Sequence, residues 1–443
     1  MYHAGVRAMF RSQVVAFAVL VVGAVVAASV VGSVAFAPPH DATPNRAPSD
    51  LSLAVSIHDT IPVGKSPSGA AYDSKNFDVY VSNGGSNNVT VVSSVTHTHS
   101  SIAVGKDPSN IVFDSTNGNL YVPNTNSSNV SIISNANKVI ANPALSKDAK
   151  PSAAFVDPAN GNVLVLNASS FPKDNVAWLI GSSTNAVTKV TLGLGFAESV
   201  SYNPKSKDLY APNEVSDTLT AISSSGTVTS IPLSGEPAFP TADPATGDLL
   251  VPLIPPTLKD NASIEVISST NTVVTTIKVP GVSDIEGPVP AYDPFNHDVY
   301  FVGVSYSKNV TVAVIVSSSN TLAATLDLKK DVSDILAFYD PANGDVYLTG
   351  GTKNTTVLNE TKILKTLTLS QPVAILVYDP LLKDMVGAGD VSLKTPSTIY
   401  FISSSNSLTT LAGGKEGIAF LYNPKDTFVW VLNLGSMNLQ LVG

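Results

Sequence analysis

The sequence predicts an all-β fold, a single β-propeller of four-stranded blades, on three observations. A stretch at residues 72–83, Y-D-S-K-N-F-D-V-Y-V-S-N, recurs along the chain. Aligned on its first Asp or Asn, the copies fall at Asp73, Asp114, Asp157, Asn203, Asp243, Asp293, Asp340, Asp379 and Asn423, with spacings of 41, 43, 46, 40, 50, 47, 39 and 44 residues. A period near 40–50 residues with four short strands per copy marks a propeller blade. Beyond residue 40, moreover, no stretch sustains a helical period.

The first copy shows how each strand is justified. Residues 69–73 are small and apolar, 78–83 alternate around Val79 and Val81, 88–94 alternate around Val89 and Val91, and 101–105 close the unit. Each run is short, rich in β-branched or aromatic residues, and bounded by turn formers. Small first strands, Gly69-Ala70-Ala71 and Ser152-Ala153-Ala154, suit the crowded centre of a ring. The turns after them, D-P-A-N-G-N at 157–162 and D-P-A-N-G-D at 340–345, place Asp to accept turn N–H groups, Pro to preset φ, and Gly where φ is positive. A calcium loop would need more carboxylates and a distal Glu, so no metal is expected there.

Tyr80-Val81-Ser82-Asn83, Tyr121-Val122-Pro123-Asn124 and Tyr210-Ala211-Pro212-Asn213 resemble the YVTN-type β-propeller repeat. The Ile102-Ala103-Val104-Gly105 segment followed by Pro108 resembles that family's blade junction, and the likeness spans roughly residues 51–443. It implies an extracytoplasmic propeller, often on archaeal or bacterial surfaces, and no particular activity.

The last copy supplies only three strands, at 417–423, 427–433 and 438–443. Ile61-Pro62-Val63-Gly64 matches the fourth-strand ending at 102–105, so residues 51–64 are expected to complete the final blade and close the ring. Nine units are counted; seven or eight blades with a degenerate insertion is the alternative.

Ahead of the ring, residues 1–12 read as a basic cytoplasmic stub carrying Arg7 and Arg11. Residues 13–37 are uncharged and dominated by Val and Ala, long enough as a helix to cross a bilayer. They are expected to form a transmembrane signal anchor, with the lipid bilayer as a partner and the remainder outside the cytoplasmic membrane. Ala35-Phe36-Ala37 has the form of a signal cleavage site, so a cleaved, secreted form is the alternative. Residues 38–50 read as a Pro-rich tether.

The formal charge of −9 argues against nucleic acid, and the absence of Cys excludes disulfides and thiolate chemistry. Strand reversal puts the blade-to-blade junctions and the loops joining second to third strands on one face, called upper here. The junction charges are Lys65, Lys106, Lys150, Glu198, Glu236, Glu286 and Asp334 in order, then the mixed pair Lys415-Glu416. A rim basic on one arc and acidic on the other could orient a charged ligand; the plainer reading is solvated loop charge. The sequons are Asn88, Asn126, Asn129, Asn167, Asn261, Asn309, Asn354 and Asn359, all but Asn359 beside upper loops, which makes them candidates for glycan attachment.

His97 and His99 flank Thr98 on a hairpin and lack a third ligand, so no metal or cofactor is expected. No G-x-S-x-G motif accompanies the abundant Ser, and no catalytic residue is assigned. These features predict a non-enzymatic, membrane-tethered cell-surface propeller for adhesion, envelope assembly or the binding of a ligand or protein, with surface proteins or glycans as partners. An exported hydrolase, lactonase-like or otherwise, with Glu198, Glu236 and Glu286 at the channel mouth is the alternative.

Overall fold

In the computed structural model the chain is described at residues 55–167, 176–195, 200–257, 260–285, 287, 289–328, 335–350, 352–389 and 396–443. Nine antiparallel sheets follow one another. Blade 1 runs Pro67–Tyr72, Asp78–Asn83, Asn88–Ser93 and His99–Ala103, counted outward from the channel, and the others repeat this order. Blade 5 differs slightly, with its innermost strand broken into Glu236–Pro237 and Thr241–Ala242 around Pro240. Proline cannot donate to a ladder, which fits an interruption there.

The middle strands are buried on both faces because each blade lies between two others. Val79 through Asn83 are all inaccessible, whereas the outer strand Val273–Lys278 exposes all but Ile277. The small inner-strand residues fit their place: a Cβ on Gly69 would stand 3.0 Å from the Asn110 backbone of the next blade.

Closure follows the expected route. Ile57–Pro62 pairs antiparallel with Asn438–Val442, so the final blade takes its outer strand from the start of the ring. Ser56 N–H donates to the Gly443 carbonyl at 3.0 Å, and Ile61 is 3% exposed.

Among the described residues no helix is long and apolar enough to cross a membrane, and the only helical turn is the 3-10 turn Gly84–Ser86. The fold is therefore all-β, and the expected transmembrane helix is corrected. Its residues 13–37, with the stub 1–12 and the tether 38–50, lie outside the described residues. Length and hydropathy, on which that expectation rested, do not specify a helix, and Val is a modest helix former. The anchored cell-surface placement rested on the same helix and falls with it.

Side chains on the lower face tie blade to blade, and they do so at a fixed place. The turn from third to fourth strand puts one residue in the left-handed region: His97, Asn137, Asn185, Asn271, Asn320, Glu360 and Asn406 have φ between 49° and 62°. Asn tolerates that region better than most residues. Asn137 of blade 2 accepts from the Tyr80 hydroxyl of blade 1 at 2.5 Å and donates to Asp78 at 3.0 Å. Asn271 does the same for Tyr210 and Asp208 at 2.6 and 2.9 Å, and Asn406 for Tyr347 and Asp345 at 2.7 and 3.0 Å. Asn320 keeps only the donation to Asp248, at 2.7 Å, because Leu250 stands where the tyrosine would be. The D-x-Y element of the repeat thus serves the joint to the following blade.

The repeated Asp after the inner strand is a turn residue in each copy. Asp73 accepts from Lys75 N–H at 2.7 Å, and Asp340 from Ala342 N–H at 2.8 Å. Asn203 fills the same place by accepting from Lys205 N–H at 3.0 Å. The second carboxylate oxygens of Asp73, Asp114, Asp340 and Asp379 are buried without a hydrogen bond among the described residues. Burial raises all four carboxyls, and for Asp340 burial together with the nearby charges of Asp345 and Asp384 pushes the pKa up to about 7.

Two outcomes are expected. Removing residues 55–64 should lower the melting temperature by about 5 °C or more, since it strips a whole ladder and exposes the Ile61 contacts; unchanged melting would contradict closure by this strand. For Asp340 the folded pKa lies above the unfolded one, so the folded state binds more protons between about pH 4 and 7 and stability falls as pH rises through that window. Asp340→Asn, which mimics Asn203, should raise the melting temperature at pH 8 and flatten its pH dependence.

Candidate binding face

The upper face is built from paired loops that hold each other. At the entrance to blade 1, Lys65 N–H donates to Ser86 Oγ at 2.7 Å, while Gly84 and Gly85 N–H return bonds to the Ser66 and Lys65 carbonyls at 2.9 and 3.0 Å. Blade 2 repeats this with Lys106 N–H to Ser127 Oγ at 2.7 Å, and with Thr125 and Asn126 N–H to the Asp107 and Lys106 carbonyls at 3.0 and 3.1 Å. Blade 9 repeats it with Lys415 N–H to Ser436 Oγ at 2.8 Å, and with Leu434 and Gly435 N–H to the Glu416 and Lys415 carbonyls at 2.9 and 3.0 Å. The residue after each lysine, Ser66, Asp107 or Glu416, takes a positive φ of 49°, 55° or 53° to turn the junction inward.

Beneath each clamp a glycine lies against an asparagine. Cβ atoms on Gly64, Gly105 and Gly414 would meet the side chains of Asn83, Asn124 and Asn433 at 2.7, 2.6 and 2.5 Å. Those asparagines, the last letter of the YVSN-type element, are buried and donate to third-strand side chains: Asn83 to Thr90 at 3.0 Å, Asn124 to Ser131 at 3.0 Å, and Asn433 to Gln440 at 3.0 Å. An upper loop is therefore anchored through backbone, hydroxyl and amide together.

Lys65, Lys106 and Lys415 all extend exposed side chains from these anchored junctions. Lys150, at the entrance to blade 3, is also exposed; its N–H donates to Asn167 Oδ1 at 2.8 Å and its Nζ to Asn126 Oδ1 at 2.9 Å. Four consecutive blades thus present lysines. Glu236 lies in the Glu236–Pro237 strand of blade 5, half-buried. Glu198, Glu286 and Asp334 lie outside the described residues, so of the acidic arc only Glu236 is placed.

Most sequon asparagines are engaged structurally. Asn88 and Asn129 accept from Asn83 and Asn124 at 2.9 Å each, Asn261 accepts from Gly281 N–H at 2.8 Å, and Asn354 from Thr368 at 3.1 Å. Asn126 donates to Asp107 at 2.9 Å and Asn359 to Asp345 at 3.0 Å. Asn309 is exposed, with φ 54°.

His97 Nδ1 lies 3.3 Å from Asp59 of the closing strand and packs edge-on to Trp430, with ring centres 6.2 Å apart. It thereby occupies the closing seam in the left-handed slot that Asn fills elsewhere. Burial raises the Asp426 carboxyl beside it, partly offset by hydrogen bonds from Phe428 N–H and Trp430 Nε1 and by the His97 charge. Among the described residues no three His, Asp or Glu side chains converge as metal ligands.

One polar pair was not foreseen from the sequence. Glu265, 3% exposed on a third strand, accepts from the exposed Ser234 hydroxyl at 2.5 Å and from its N–H at 3.2 Å. Ser234 holds the junction position of Gly64, and Glu265 the third-strand position of Thr90. Repeat alignment was the signal that could have found this pair.

No protein-family model and no curated protein sequence matches the chain. Several solved structures resemble it. The Dos1 propeller is 10% identical, with a TM-score of 0.54 over 88% of this chain and 93% of that one. Dihydro-heme d1 dehydrogenase NirN is 14% identical, with a TM-score of 0.49 over 70% of this chain and 66% of its own length. A Kuenenia stuttgartiensis hydrazine synthase chain is 14% identical, with a TM-score of 0.47 over 87% and 97%. At 10% identity the likeness to the Dos1 propeller is one of fold alone, and the sheet order itself makes the chain a nine-bladed β-propeller.

Proposed function

We propose that this protein is a non-enzymatic binding propeller of YVTN-type repeats, whose upper face engages an acidic segment of another protein. The observation that carries this reading is the row of exposed lysines Lys415, Lys65, Lys106 and Lys150 on anchored junctions of four consecutive blades. A frame already fixed by backbone bonds loses little entropy on binding, and side chains of one sign in a row speed encounter with the opposite sign. The lower face supports the same division of labour, because many of its polar side chains are committed to turns and joints.

One observation favours a second reading, an enzyme with its site on the upper face: the hydroxyl of exposed Ser234 bonded to the buried Glu265 carboxylate. A base within hydrogen-bond reach is what a serine nucleophile requires.

Two measurements separate these readings. Binding of a poly-glutamate peptide should weaken by about tenfold in the triple variant Lys65→Ala, Lys106→Ala and Lys150→Ala, and should fade as salt rises. Equal binding by the variant would refute the lysine arc, and binding of a sulfated oligosaccharide alone would reassign the partner to an anionic glycan. Under the binding reading, a fluorophosphonate should leave Ser234 unlabelled; labelling lost in Glu265→Gln would favour the enzyme.

A further inference from the structure

The nine lower turns that join first to second strands form a belt around the channel, and its exposed residues have a composition of their own. In all nine the N–H of the third residue donates to the side chain of the leading Asp or Asn, at 2.7 to 3.0 Å. The tips therefore stand at equivalent places on a fixed frame. Long side chains at the third position reach across to the next turn: Lys75 Nζ lies 3.4 Å from the Thr116 carbonyl, and Lys205 Nζ 2.9 Å from the Thr246 carbonyl. In blades 5 to 8 the third residues are Ala245, Phe295, Ala342 and Leu381, each exposed and each preceded by an exposed proline. Phe295, at 70%, and Val95, at 68%, are the most exposed large apolar side chains among the described residues, and both sit on lower-face turns; Leu381 is 54% exposed. The exposed charges of the nine turns are all lysines, Lys75, Lys205, Lys207, Lys383 and Lys425, whereas each Asp there is buried or half-buried.

We propose that this lower belt docks the ring on an anionic lipid surface, with the Phe295 and Leu381 tips entering the headgroup layer and the lysines meeting the lipid phosphates. No membrane-spanning helix is needed for such a contact. Apolar side chains flanked by lysines are what binding at a lipid interface requires, because area removed from water and attraction to anionic headgroups add. The sign of the exposed charge argues against a second copy as the occupant, since two belts of lysines repel. The repeat geometry argues for a broad, even surface: equivalent turns at one end of the ring reach it together. Each tip is already fixed by its turn, so little conformational freedom is lost on contact. The chain as a whole carries a formal charge of −9, which opposes an anionic surface at long range. The lysines therefore act within about one Debye length, ~8–10 Å, and the apolar tips supply the remainder. The upper-face lysines stay free for an acidic segment, so the two faces can be engaged at once.

The test is flotation of the full chain with vesicles of phosphatidylcholine, alone or mixed with phosphatidylglycerol, joined to hydrogen exchange on the vesicle-bound protein. Exchange at the tips reads the belt itself, whatever else in the chain holds the vesicle. Peptides over residues 291–300 and 377–386 should gain protection on the mixed vesicles, while one over 84–91, on the upper face, stays unchanged. Phe295→Ser with Leu381→Ser should remove that protection and weaken flotation about tenfold, because two side chains lose their transfer from water. The melting temperature of this double variant should not move, since both side chains are exposed. Lys75→Gln, Lys205→Gln and Lys425→Gln together should erase the preference for the anionic mixture, whereas Lys65→Ala, Lys106→Ala and Lys150→Ala on the upper face should float like the natural protein. Absence of protection at the tips, or protection that survives the double variant, overturns the proposal. Protection of the same tips by an acidic amphipathic peptide, with none from vesicles, overturns it in favour of a protein partner.

Discussion

Backbone ladders stop at the edge of each blade, and that constraint governs the rest of the structure. Hydrogen-bonded pairing runs across four strands and then ends, and beyond single backbone bonds such as Ala337 N–H to the Val289 carbonyl at 3.0 Å the ring is joined by side chains and by the packing of blade against blade. The chain meets this with two recurring devices on opposite faces. Below, a left-handed asparagine reaches back to the preceding blade. Above, a glycine at the end of one blade makes room for a buried asparagine in the next. Both devices use polar groups that would be costly to bury unpaired, so they fix register as well as hold it.

The same constraint explains a composition low in charge and rich in Ser, Thr and Asn. Ion pairs are poor joints at a half-buried seam because desolvation offsets their attraction. Amides and hydroxyls both donate and accept, and they bridge blades without a net charge. Lys308 pairs with Asp327 at 2.9 Å on the surface, and His97 Nδ1 lies 3.3 Å from Asp59.

The ring was legible in the sequence because each turn aspartate does a local job. Asp73 bonds residues two and three positions on, so the same letters recur in each copy and their spacing counts the blades. Closure by residues near 61 was legible for the same reason, as a fourth-strand ending found ahead of its first strand. The joints were not legible. Tyr80 and Asn137 are 57 residues apart, and Ser234 and Glu265 are 31 apart, distances over which only the folded ring defines neighbours. The lysines were readable as junction residues, while the hydroxyl clamps beneath them were not, since Ser86 and Ser127 look like ordinary loop serines. The membrane helix was an inference from hydropathy, which constrains environment more tightly than conformation.

The closing seam carries an optical property of its own. Trp178 and Trp430 are the two tryptophans of the chain, and they sit in very different places. Trp178 belongs to the third blade, bonded to Ser146 at 3.1 Å. Trp430 lies in the final blade, fully buried, with His97 of the first blade against its edge and Phe428 nearby. The indole is thus a built-in gauge across the one boundary where the ends of the ring meet. Light emitted from it should therefore report whether the circle is shut.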